Sequence, residues 1–164
     1  MATVVSLSDP KVFFEEVAKP SFDDFMTTVS SFRTAFNAAT ALFHLHEWVW
    51  EFNRAEIERK YGRTFSKKGT FWKFIESQIP RARFVRDLAN ASKHVRLTIK
   101  PSTSMTHIAN TTIQTVGFGE SAYGVGRYSA PSVIMKDGSN DVCLDDCVQD
   151  LFGFWSVLIA DLKS

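Results

Sequence analysis

The sequence predicts an α+β domain, mainly α: a helical bundle around a long second helix, with a small antiparallel β-sheet inserted before the C-terminal helix. Three observations predict it. Two adjoining apolar rows run through residues 25–52 at helical spacing, the texture turns β-rich after Leu97, and an amphipathic stripe closes the chain. At 164 residues, 45% hydrophobic and 23% charged, the chain suits one globular domain, neither disordered nor fibrous. The domain 1–164 divides into a helical part 9–96, a β-rich part 97–144 and a C-terminal helix 145–163.

Asp9-Pro10 reads as an N-cap followed by proline at the first helical position, opening a short helix that Lys19-Pro20 ends. Ser21, with Asp24 three residues on, starts the long helix. Along it Phe25, Val29, Phe32, Phe36, Ala39, Phe43, His46 and Trp50 form one seam. Ala35, Ala38, Leu42, Leu45, Val49 and Phe52 form a second row beside it, and two adjoining rows mean a wide buried face. Tyr61-Gly62 is a stop, and a basic SKKG loop leads to a short helix, FWKFIESQ. Pro80 then suits the first turn of a fourth helix running to about Val95.

The runs LTIK, NTTIQTV, SVIMK and DVCL read as strands, with Asp137-Gly138 at the corner of a hairpin. The glycine-bearing segment GFGESAYGVGR reads as a loop and lacks the spacing of a dinucleotide fingerprint. Asp145 and Asp146 offer a cap to the last helix, whose stripe is Val148, Leu151, Phe152, Trp155, Leu158, Ile159 and Leu162.

Several function classes fall away on composition. No run reaches the roughly 18 apolar residues of a membrane span. The start MATVVSLSDP has no signal-peptide pattern, and with two cysteines, Cys143 and Cys147, the expected compartment is the cytoplasm. Their CxxxC spacing lacks a second ligand pair, so buried free thiols are expected. No GxSxG elbow is present. The 15 Phe and 4 Trp supply large anchors, and with the wide apolar faces they suit a homodimer.

Charge is unevenly placed. From Arg54 to Lys100 there are 13 Lys/Arg against 4 Asp/Glu, and the excess of acid elsewhere returns the net charge to +1. A basic face of this kind suits a phosphate backbone, and RNA is the partner it points to. The alternative is that basic and acidic elements pair within the fold or across a dimer.

The stretch RFVRDLANASKH carries the densest chemistry. On a helix it stacks Arg83, Asp87, Asn90 and His94 into a polar stripe beside an apolar one of Phe84, Leu88, Ala91 and Val95. One structural reading is an Arg83–Asp87 ion pair, with Asn90 and His94 bonded to nearby backbone. His46 sits in the long seam and points inward, whereas His44 falls about 160° away on the outer face. His46 is either a satisfied core histidine or, with Asp87 and His94, a three-ligand set for a divalent metal. His44, Glu47, Trp48 and Glu51 form an outward cluster, either a solvated face or a contact of Trp48 with the sheet or another subunit.

The segment RDLANASKH, preceded by the long helix ending in HLHEW, resembles the helical HEPN-like proteins. Many of these are prokaryotic ribonucleases or nucleic-acid-linked defence and toxin proteins. Their motif is an arginine, commonly a polar residue next, and a histidine after four to six intervening residues. The resemblance implies that Arg86 contacts phosphate and that His94 assists proton transfer at a ribose 2′-hydroxyl, without metal or other cofactor. Asp87 and Asn90 complete the candidate site. Here seven residues separate Arg86 from His94, and a continuous helix would spread the pair about 12 Å apart. The β-rich segment is a second departure from an all-helical core. The stretch LANASKH also resembles one in uncharacterised bacterial helical proteins.

Three functions therefore follow: an HEPN-like nucleic-acid-binding protein or metal-independent ribonuclease, a non-enzymatic interaction or structural protein, and a metal-dependent bundle enzyme using His46, Asp87 and His94.

Overall fold

The computed structural model describes residues 7–94, 97, 101–115 and 131–162. Asp9 caps the first helix as its sequence predicts. Its Oδ1 accepts from the Lys11 and Val12 amides at 2.8 and 3.1 Å, with Pro10 in the first turn. Helix α1 (Pro10–Phe13) then passes without a break through a π-helical turn (Phe14–Ala18) into α2 (Lys19–Thr27).

Pro20 therefore does not end the helix, contrary to expectation. In an α-helix its ring would press on the Glu16 carbonyl and it would offer no N–H. The π turn widens the backbone just ahead of it, with the Lys19 amide donating to the Phe14 carbonyl five residues back. Two short helices become one bent run.

The break comes later, at 28–31, so the long helix starts at Phe32 rather than Ser21. The Ser31 hydroxyl accepts from the Thr34 amide at 3.4 Å, and Thr34 Oγ1 donates to the Thr28 carbonyl at 3.1 Å. Hydroxyl side chains compete for backbone partners in this way and favour caps over helix interiors. The gap has a second use: the freed Val29 carbonyl accepts the Val133 amide of the sheet at 3.1 Å.

Helix α3 (Phe32–Tyr61) is the centre of the bundle, with the other helices packed against it. It kinks at Asn53 (φ −125°, ψ 23°), where the apolar rows end, and stops at Gly62, which takes the left-handed φ of 61°. The two rows are not equal. Ala35, Ala38, Leu42, Leu45 and Val49 are wholly buried, while Phe32, Phe36, Phe43 and Trp50 of the longer seam keep part of their surface. Alanine and leucine let neighbouring helices approach more closely than a row of phenylalanines does.

Helix α4 (Lys68–Gln78) and α5 (Ala82–Ala91) follow, and α6 (Leu144–Asp161) closes the bundle. In α6 Val148, Leu151, Trp155, Leu158 and Ile159 are buried as the stripe predicts. Before α6 lies an antiparallel sheet in the order β1 (Thr111–Thr115), β2 (Pro131–Asp137), β3 (Asn140–Cys143). Ile113 pairs with Val133, and Asp137 with Asn140 across a two-residue turn where Gly138 has φ 64°. The predicted LTIK strand and glycine-bearing loop fall mostly or wholly outside the described residues. Among those described, no helix is long and apolar enough to cross a membrane.

Trp155 joins α6 to α3: it is fully buried, and its Nε1 donates to the Leu42 carbonyl at 2.9 Å. Trp155→Ala is expected to cost about 3–5 kcal/mol, read as a lower urea midpoint, and Trp155→Phe clearly less.

Candidate functional site

Helix α5 buries Phe84, Val85, Leu88 and Ala91, and the same packing draws Asp87 inward to 1% exposure. Its carboxylate is satisfied on both oxygens. Oδ1 accepts from Arg86 Nε and Nη2 at 3.1 and 2.9 Å and from the Ser102 amide at 3.3 Å. Oδ2 accepts from the Thr103 amide at 2.9 Å and the Thr103 hydroxyl at 2.8 Å. The other arm of Arg86 reaches α4, with Nη1 at 3.1 Å from Glu76 Oε1, an oxygen that also accepts from Trp72 Nε1 at 2.8 Å. A chain of charge thus runs from α4 through α5 to the segment preceding the sheet.

Arg83 does not pair with Asp87 as one reading of the stripe has it. It reaches Asp137 of β2 at 3.2 Å, and the Ser104 amide donates to the same carboxylate at 3.0 Å. Those contacts, with the Ser104 amide first, hold the Asp137 carboxyl below its usual range.

Helix α5 ends at Ala91, not near Val95. The Ser92 hydroxyl donates to the Ala89 carbonyl at 2.7 Å, and the Lys93 and His94 amides both donate to the Asn90 carbonyl at 3.2 Å, tightening the chain into a turn. His94 is exposed there and Asn90 partly so. Arg86 and Asp87 are therefore brought together, while among the described residues the side chains of Asn90 and His94 take no part in their network. Nor are His46, Asp87 and His94 gathered: among the described residues no group of three His, Cys, Asp or Glu side chains is placed to hold a metal.

His46 is buried, as its place in the seam predicts, but its partner lies on its own helix. Nδ1 donates to the Phe43 carbonyl, and the ring packs between Phe43 and Trp72 at centroid distances of 4.8 and 5.1 Å. Burial dominates its titration and lowers the pKa to about 4, against the opposing pull of that hydrogen bond.

No protein-family model, curated protein or solved structure matches the chain.

A second arrangement lies on the outer face of α3. Lys93 Nζ is 3.2 Å from His44 Nε2, His44 Nδ1 is 3.8 Å from Glu47 Oε1, and Glu47 Oε2 is 2.9 Å from Lys68 Nζ. Partial burial lowers the His44 pKa, and the Lys93 charge lowers it further, against the opposing pull of Glu47. Trp48 beside it is covered by Phe13 of α1, the rings stacked with centroids 4.9 Å apart. The element that covers Trp48 is the N-terminal helical run rather than the sheet.

Between that run and α3 opens a groove of about 740 Å³. Phe13, Val17 and Ser21 line one side; Asn37, Thr40, Ala41, His44 and Trp48 line the other. Phe36 and Ser92 complete it. Asn37, Thr40 and Ala41 were hidden in the sequence as breaks between apolar rows; the available signal was a tryptophan on an otherwise polar face.

Asp87→Asn keeps the shape of the side chain and removes the charge facing Arg86, with a new donor set against the donors of Ser102 and Thr103. A loss of about 3 kcal/mol or more is expected in chemical unfolding. The His46 pKa in the fold lies below its unfolded value of 6.5. Its contribution is therefore complete above pH 6.5 and lost progressively as pH falls toward 4. His46→Gln should flatten the dependence of unfolding free energy on pH in that window.

Proposed function

We propose that this is a non-enzymatic interaction protein, in which the polar stripe of α5 holds the fold together and recognition takes place on the outer surface. The observation that carries this reading is the use made of Arg86 and Asp87. A phosphate-binding arginine must present its donors to a ligand. Arg86 directs them instead to Glu76 and Asp87, and its side chain is 18% exposed. The Asp87 oxygens are equally occupied.

The charge pattern supports the same reading. The basic central segment meets the acid of other elements in pairs: Lys60 with Asp161 at 2.7 Å, Lys68 with Glu47, Arg81 with Asp150 at 3.2 Å and Arg83 with Asp137. Arg54 and Arg59 find Glu58 and Glu56 on their own helix. Cations already paired with carboxylates release fewer counterions to a phosphate backbone, which weakens the case for RNA.

The deciding assay incubates a mixed single-stranded RNA with wild type and with His94→Ala, in excess EDTA and in Mg²⁺. The expected result is intact RNA throughout, with His94→Ala melting at the wild-type temperature. Cleavage by wild type that a folded His94→Ala variant loses would overturn the proposal and establish metal-independent ribonuclease chemistry.

A further inference from the structure

The groove beside α3 has a chemistry that the α5 network does not use. Its α3 wall is one face of the helix, since Asn37 stands three and four residues before Thr40 and Ala41, these stand four and three before His44, and Trp48 follows four on. Small side chains at 40 and 41 leave space that two leucines would fill. The facing wall, Phe13, Val17 and Ser21, repeats every four residues, and Val17 lies in the π turn, a helical form found often at functional sites. The volume of about 740 Å³ falls within the roughly 300–1,000 Å³ of small-molecule sites.

Charge distinguishes one end. Among the described residues the lining contains no carboxylate. Lys93 stands at the His44 end, its Nζ 3.2 Å from His44 Nε2, and among the described residues no carboxylate pairs with it. Nearby Lys68 differs, being paired with Glu47. An apolar trough walled by Phe13, Phe36 and Trp48 thus has, beside the His44 that lines one end, an ammonium group that no described carboxylate meets.

We propose that the groove binds a small organic anion: a flat apolar body seated among Phe13, Phe36 and Trp48, its carboxylate paired with Lys93. The edges of the Phe13–Trp48 stack and the Phe36 ring favour a flat body through edge contacts, and a charge-assisted hydrogen bond fixes its direction. The site rests on the preceding reading in taking the protein to act by binding.

The test is calorimetric titration of the full chain with 2-naphthoate and with its uncharged counterpart, 2-naphthylmethanol. Wild type is expected to bind the acid with sub-millimolar affinity, roughly tenfold more tightly than the alcohol. Lys93→Gln should remove that preference and leave alcohol binding within about twofold of wild type. Thr40→Phe, which fills the groove from a half-buried position, should abolish both; Asn37→Trp is the second filling variant if the first fails to fold. No binding of naphthoate at millimolar concentration overturns the proposal, as does equal affinity for acid and alcohol, or binding indifferent to Lys93→Gln and to a folded filling variant. Wild type that sediments as a dimer, binds no naphthoate and becomes monomeric on filling the groove overturns it in favour of a second copy of the chain. The RNA assay is read separately: cleavage with naphthoate still held in the groove defeats the non-enzymatic reading alone, and intact RNA without naphthoate binding defeats the groove alone.

Discussion

A carboxylate with 1% of its surface exposed, Asp87, decides how the β-rich part of the chain sits on the helices. A buried charge is tolerable only when it is paired and its lone pairs are met. On a helix its neighbours can supply only part of that, here the guanidinium of Arg86. The rest comes from the Ser102 and Thr103 amides and the Thr103 hydroxyl, so the segment has to lie against α5 for the fold to be stable. Thr103 Oγ1 then accepts the Met105 amide at 3.1 Å, and Met105 enters the core. Ser104, between them, passes the connection to Asp137 and hence to β2. Burial of one group fixes a turn, and the turn positions a sheet.

The ion pairs around this centre do a different kind of work. Lys60–Asp161, Arg81–Asp150 and Lys68–Glu47 are largely exposed, and such pairs contribute at most about 1 kcal/mol each. Yet each joins two different elements, α3 to α6, the turn before α5 to α6, and α4 to α3. Misplacing an element would set like charges together or strand a cation, so the asymmetry along the chain acts as a guide to assembly. A basic stretch in sequence is therefore a poor guide to a basic surface when an acidic helix lies next to it in space.

Much of the fold was legible in the sequence because periodicity and turn chemistry are local. The Asp9 cap, the Gly62 stop, the Gly138 hairpin and the α6 stripe each follow from a few neighbouring residues. Pro20 misled because its cost depends on the register of the preceding turn, and a π turn removes it. The Arg86–Asp87 contact was hidden for a geometric reason. Adjacent helical residues point about 100° apart, and only a side chain as long as arginine can fold back across that angle. Glu76, Ser102 and Thr103 left no signal either, since they reach Asp87 and Arg86 from a neighbouring helix and an irregular segment. The charge asymmetry was plain, but its two readings differ only in tertiary arrangement.

The groove follows from the same departures from local rules. Were the helix broken at Pro20, the N-terminal run would not continue along α3 with Phe13, Val17 and Ser21 on one line. Continuity through the π turn lays that line opposite Asn37, Thr40 and Ala41, whose side chains are too small to close the gap. Phe13 anchors the run by stacking on Trp48, so the tryptophan both holds the wall in place and stays half-exposed within the groove. Early termination of α5 supplies the remaining part: continued as helix, Lys93 would follow the α5 surface, but the turn from Ser92 to His94 brings its ammonium to His44. A proline tolerated, two small residues and a helix that stops three residues before its expected histidine together leave an apolar trough with one positive end.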